Sequence, residues 1–218
     1  MGVSSAAQRG AALSARARAT RQRILDAALV EFAEKGMAGS RVDEIAARAG
    51  ANKRMLYAYF GSKEELWLTV LEQAYAAKRA EERELSVDSL PPAEAMARLV
   101  AFNLRYTSRH PEFVALLNQE NLHRAAYLQR SEQVPGLYSP MLEALTKVLA
   151  RGAAAGVFRD GVDAMQLYIS ILALGHFYVA NRHTLSTIFG TKLDTEAAIA
   201  AREAHIADVV LGFLRPLT

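Results

Sequence analysis

Lys53, Arg54 and Tyr57 follow Asn52 at positions i, i+1 and i+4. On a helix this spacing gathers two cationic donors and a phenol near one end of one face. An α-helix fits the major groove of B-DNA, where Arg and Lys donate to guanine and Tyr packs on a thymine methyl or reaches a phosphate. Helix N-terminal N–H groups also favour phosphate. Taken alone, the three residues fit equally well the solvated charged face of an ordinary helix pair, so the neighbouring elements must decide.

A second set of residues has chemistry suited to a small molecule. Asn103, Tyr106, Asn121, Arg124, Tyr168, His176, Tyr178 and Asn181 are polar groups embedded in apolar helical stretches. Buried polar groups normally find partners inside the protein, and for each residue singly that is the better reading. As a cluster they form a candidate effector site. Arg124 with Asn121 would suit a carboxylate, an imide or another acceptor-rich molecule, and the tyrosines would flank a planar ring.

Enzymatic chemistry has little support. With no cysteine, thiolate zinc sites, iron–sulfur clusters, disulfides and cysteine nucleophiles are excluded. No P-loop or dinucleotide glycine pattern occurs, and His110, His123, His176, His183 and His205 show no His-x-x-x-His spacing. His176 and His183, seven apart, leave one metal option open, and no cofactor is implied. Glu81, Glu82 and Glu84 read as a solvated helix end. A helical protein-binding scaffold would explain apolar helices but not the basic set at Lys53.

The elements that must position Lys53, Arg54 and Tyr57 are legible. From Thr20, apolar residues at Ile24, Ala27, Ala28 and Phe32 recur at helical spacing, and Lys35-Gly36 should end that helix. A short helix follows Ser40 or Arg41, with Ser40 a candidate cap and Asp43 and Glu44 in its first turn. Gly50-Ala51-Asn52 makes a three-residue break ending in an N-cap, and Lys53 to Phe60 form a third helix. This is a helix-turn-helix pattern in which Ala46 allows close approach, Gly50 permits the turn, and Leu56 and Phe60 face the core. Ser62-x-x-Glu65 then opens a long fourth helix as a capping box, with Lys63 placed to hold a backbone phosphate.

Charge follows the same division. Residues 1–63 hold 11 Lys/Arg against 5 Asp/Glu, a net +6, whereas residues 64–218 are net −3. One end of the chain is therefore suited to a polyanion.

The segment Thr20 to Leu71, with ILDAALVEFAEKG, IAARAG and LYAYFGSKEEL in order, resembles the TetR family of transcriptional repressors. That resemblance places Arg41, Asn52, Lys53, Arg54, Tyr57, Tyr59 and Lys63 where the family contacts double-stranded operator DNA. Tyr59 reads equally as a packing residue. Ala51-Asn52 departs from the family's usual valine-serine pair, which puts the hydroxyl's phosphate contact in doubt. The resemblance further implies a homodimer on a palindromic operator, released by a small-molecule effector. Repressor is the family default, with activator or dual regulator as the alternative sign.

The rest of the chain reads as helices over about 93–109, 112–126, 141–155, 162–182 and 195–214, with a loop at 131–139 around Pro135-Gly136. The fold class is all-α, with about nine helices. Residues 1–19, which include Arg9, Arg16 and Arg18 and no acid, form a flexible basic arm. Residues 20–65 form the helix-turn-helix DNA-binding domain, and 66–218 a larger ligand-binding and dimerisation domain. Its last two helices are apolar enough to be the dimer interface, as in the family, or to bury within one subunit. The 18-residue uncharged run Ala164–Asn181 contains Gln166, Ser170, His176 and Asn181, which suits a protein interior better than lipid. No membrane span is expected, and the chain reads as cytoplasmic.

Overall fold

A computed structural model describes residues 3–133 and 139–216, with side chains from Ala15 onward. The expected Pro135-Gly136 loop centre lies outside the described residues. The described chain is helical throughout, with ten α-helices and no strand: α1 (Val3–Gly39), α2 (Val42–Arg48), α3 (Lys53–Phe60), α4 (Lys63–Arg83), α5 (Pro92–Arg109), α6 (Pro111–Leu122), α7 (Pro140–Ala154), α8 (Ala164–Ala180), α9 (Arg182–Phe189) and α10 (Glu196–Leu214).

Three boundaries depart from the expectation. Helix α1 runs back to Val3, so the stretch expected as an arm is helical backbone from that point, and non-helical Gly36 (φ 67°, ψ 178°) interrupts α1 where its end was expected. Helix α6 stops at Leu122, short of Ala126. The chain leaves it through Arg124 and Ala125, both at φ 57°, and closes with Ala125 N–H donating to Glu120 O at 2.7 Å. No glycine or proline announces that exit. Helix α9 was not foreseen, although Gly190 in the left-handed region ends it as such a glycine commonly does.

The chain divides into two compact units, residues 1–74 with 115–133 and residues 75–114 with 134–218. The first unit is organised on Ile24, Ala28, Phe32, Ile45, Leu56, Leu66 and Trp67, all fully buried. Burying each of the larger side chains is worth roughly 1.5–3 kcal/mol. Phe32 meets the Trp67 ring edge-on at 5.0 Å. The indole N–H donates to Glu120 Oε1 at 2.8 Å, while Glu120 Oε2 accepts from Leu128 N–H at 3.1 Å, so this buried carboxylate is satisfied on both oxygens.

In the second unit α5 is central and packs against α7, α8 and α10. Met96, Leu99, Leu104, Met141, Leu145, Ile171, Ile206 and Leu214 fill that core. Among the described residues, no helix is long and apolar enough to cross a membrane.

Candidate functional site

The turn between α2 and α3 follows from its residues. Gly50 takes φ +59°, its N–H donates to Ala47 O at 3.2 Å, and Ala51 N–H reaches back to Ala46 O at 2.9 Å. This paired closure requires a left-handed residue at position 50, which glycine adopts without strain. Asn52 Oδ1 then accepts from Met55 N–H at 2.8 Å and starts α3. From α1, Arg23 Nε donates to Ala49 O at 3.1 Å and the Arg21 guanidinium lies 5.0 Å from the Phe60 ring, so basic side chains brace the turn and the far end of α3.

Leu56 and Phe60 face the core, and Asn52, Lys53, Arg54 and Tyr57 are exposed, Tyr57 at 41%. These residues form one solvent-facing surface at the start of α3, joined by exposed Arg41 at the start of α2. Lys53 Nζ is 3.2 Å from Asp43, an exposed pair that water screens and that a phosphate can displace at little cost.

Two members of the expected set have other employment. Lys63 is partly buried and donates to Ser40 O at 2.6 Å. Tyr59 packs against the core with its ring edge-on to Phe60 at 6.3 Å.

Two caps also differ. Ser40 donates to Met37 O at 3.0 Å and does not cap α2, whose first N–H groups lie near the fully buried Glu31 carboxylate, 3.4 Å from Arg41 N. Ser62 Oγ accepts from Glu65 N–H at 3.1 Å, but the Glu65 carboxylate pairs with Arg130 rather than closing the reciprocal half of the box.

The eight residues expected to form an effector site are divided between the two units. Asn121 and Arg124 belong to the first unit and are exposed, with Asn121 Nδ2 donating back to Leu117 O at 2.9 Å. Helix α6 ends before it can carry Arg124. Asn181 ends α8, its Nδ2 on Phe177 O at 2.9 Å. The Tyr178 hydroxyl donates to Leu193 O at 3.0 Å, and the residue lines a cleft of about 210 Å³ together with Arg105, Arg109 and Arg182.

The remaining four, buried Asn103 and Tyr106 and half-buried Tyr168 and His176, belong to the second unit together with Lys78 and Arg79, which the sequence reading passed over, and Glu82, which is buried and not the solvated helix end expected of it. Lys78, Arg79 and Glu82 of α4 are all buried. Arg79 Nη1 lies 2.5 Å from Glu82 Oε1, and Ser139 Oγ bridges Arg79 (3.2 Å), Glu82 Oε2 (3.1 Å) and the Tyr168 hydroxyl (3.1 Å). Lys78 Nζ faces rings, 5.6 Å from the Tyr106 centroid and 5.4 Å from Phe113. Burial pushes the Lys78 ammonium down to about 8, and burial, with Lys78's charge second, also depresses His176, leaving a neutral imidazole at pH 7. Burial raises the Tyr106 phenol, which stays protonated.

Asn103 is 1% exposed, and its Nδ2 donates to Ile171 O at 3.3 Å. A Cβ on Gly175 would come 3.0 Å from that Nδ2, so glycine permits this close approach of α5 and α8. The signal for this cluster was present in the sequence. Leu71, Tyr75, Lys78 and Glu82 continue one helical stripe, so the charged pair lies on the face that the apolar residues bury.

A third feature is a row on one face of α8 at four- and eight-residue spacing, Met165, Ile169 and Phe177, exposed at 50–59%, with Val209 and Phe213 exposed on α10. Among the described residues, no group of three metal-binding side chains comes together.

Comparison with known proteins agrees with both halves of this picture. Residues 24–70 match the model for bacterial regulatory proteins of the tetR family, and residues 92–210 match the tetracyclin repressor-like C-terminal domain. The chain is 39% identical over 196 residues to the transcriptional repressor NicS of Pseudomonas putida, spanning 90% of this chain and 92% of that one. It is 34% identical over 162 residues to the repressor SCO4008 of Streptomyces coelicolor, spanning 74% and 79%. Among solved structures, the regulator PfmR of Thermus thermophilus superposes with a TM-score of 0.66 at 25% identity, over 87% of this chain and 97% of that one. With a helix-turn-helix in its first unit and both family models matched along its length, this chain belongs to the tetR family of bacterial regulatory proteins.

Proposed function

We propose that the protein is a cytoplasmic homodimeric repressor that reads a palindromic operator through α3 and is released by a small-molecule effector held in the second unit. The observation that carries this reading is the surface formed by Arg41, Asn52, Lys53, Arg54 and Tyr57, held outward by fully buried Leu56. Arg54 and Lys53 donate to base edges and phosphates, Tyr57 packs against the groove wall, and Lys63 holds Ser40 while lending positive potential to the same edge. Tyr59 supports the surface from beneath. The names of NicS and SCO4008 favour repression as the sign of control.

One recognition helix reads only a few base pairs, so specificity calls for two copies on a symmetric site. The exposed apolar rows of α8 and α10 supply a surface for that pairing, because apolar side chains left in water at such regular spacing are stabilised by a partner. Selection from a pool of random duplexes tests the reading. Enrichment of an inverted repeat is expected, and recovery of unrelated sequences overturns it.

A further inference from the structure

The interior of the second unit holds a lysine that, among the described residues, has no ion pair of its own. Glu82 is the carboxylate that acts on Lys78, and each of its oxygens already has a partner: Oε1 takes Arg79 at 2.5 Å, Oε2 takes Ser139 at 3.1 Å. Lys78, 4% exposed, lies one turn before Glu82 on the same helix, and among the described residues its ammonium makes no hydrogen bond and no ion pair. Its neighbours are the π faces of Tyr106 and Phe113, which soften but do not replace the lost hydration of an ammonium. One turn before Tyr106 on α5, Asn103 Oδ1 is buried without a partner, although the amide's other end is fixed on Ile171 O. A buried ammonium without an ion pair therefore lies over the Tyr106 ring, and a buried acceptor without a donor sits one turn earlier on the same helix.

Both orphans are explained by one kind of guest. We propose that the effector is a small planar-ring carboxylate whose carboxylate binds the Lys78 ammonium, whose ring packs against Tyr106 and Phe113, and whose polar hydrogen donor meets Asn103 Oδ1. The carboxylate completes a charge-assisted hydrogen bond in a dry site, the kind worth most to binding. A hydroxyl on the far side of the ring satisfies the acceptor that α5 leaves open. The neutral His176 beside Lys78 adds no competing positive charge. This inference rests on the reading of the protein as an effector-released regulator and names the chemistry of the effector.

Calorimetry on the full-length protein with benzoate, 4-hydroxybenzoate, benzamide and phenol tests it, with fluorescence anisotropy on selected operator DNA run in parallel. The carboxylates are expected to bind and the neutral compounds to bind at least about 10-fold more weakly, with 4-hydroxybenzoate tighter than benzoate by up to about 10-fold. Lys78→Met is expected to cost the carboxylates about 10- to 100-fold, and Asn103→Ala to remove the advantage of the hydroxyl while sparing benzoate. A cooperative melt confirms that each variant folds.

Benzamide binding as well as benzoate, unchanged benzoate affinity in Lys78→Met, or no binding by any of the four compounds overturns the proposal. The anisotropy arm isolates the underlying reading. Carboxylate binding that leaves the operator complex intact overturns the effector role while the anion site stands, and failure to bind any duplex specifically defeats the regulator reading itself.

Discussion

The two units use lysine in opposite ways. On α3, Lys53 stands in solvent beside Asp43, and its charge is stabilised by water until DNA arrives. On α4, Lys78 is buried against Tyr106 and Phe113 and has given up most of its water before any ligand arrives. A polyanion is read from a surface that is already stable, whereas a small anion is read from a site that is costly while empty. In the second unit, ligand binding and local stability are therefore the same quantity.

The strongest way to break this contrast is to dissolve the platform under the reading surface. Leu56→Ala empties a fully buried position between α3 and the rest of its unit, and should cost about 2–5 kcal/mol. Chemical denaturation should show that loss, and DNA binding should fall with it. A loss below about 1 kcal/mol would mean that α3 is held by something other than its anchors.

Lys78→Met sharpens the contrast from the other side. The variant should raise the stability of the ligand-free protein by about 1–3 kcal/mol, because it removes a buried charge that lacks a hydrogen-bonded partner. The pH dependence follows from its pKa, which lies near 8 when folded against 10.5 when free. Between those values the unfolded chain keeps a proton that the folded chain has released, so stability rises with pH across that window and the full cost applies below it. The titratable and charged groups facing Lys78 are Glu82, Arg79, His176 and Tyr106, whose buried phenol stays protonated, so the wild-type curve minus that of Lys78→Met isolates the effect. A flat difference from pH 7 to 11 would contradict the burial argument.

Smaller effects are expected at the reading surface. Arg54→Ala and Tyr57→Ala should each weaken operator binding by about 1–3 kcal/mol while leaving the melt unchanged, as anisotropy and circular dichroism together will report. Asn52→Ala should cost about 1 kcal/mol of stability through the lost cap, as chemical denaturation will report.

The same contrast separates what was readable from what was not. The motif at Gly50, Asn52, Leu56 and Phe60 is local, since each residue's role is fixed by neighbours within a few positions, and the structure realises all four. The capping box at Ser62 was legible only by half, because Glu65 is claimed by Arg130, which is 65 residues away. The interior of the second unit depends on such distant partners throughout. Tyr168 finds Ser139, and Asn103 finds Ile171 across 68 residues, and no local pattern announces either. Nothing in the sequence around Arg124 marks the left-handed exit from α6. Lys78 was passed over because charge on a helix reads as solvent-facing unless the apolar stripe is followed to its end.

The central claim is that α3 reads a specific duplex, and the most direct measurement is binding of the purified protein to the DNA flanking its own gene, against scrambled DNA, across a salt series. A two-fold symmetric protected site, bound at least about 10³-fold more tightly than the scrambled duplex at physiological salt, is the predicted result. Equal affinity for both duplexes, falling together as salt rises, would reduce the surface at Lys53, Arg54 and Tyr57 to a patch of positive charge and contradict the account.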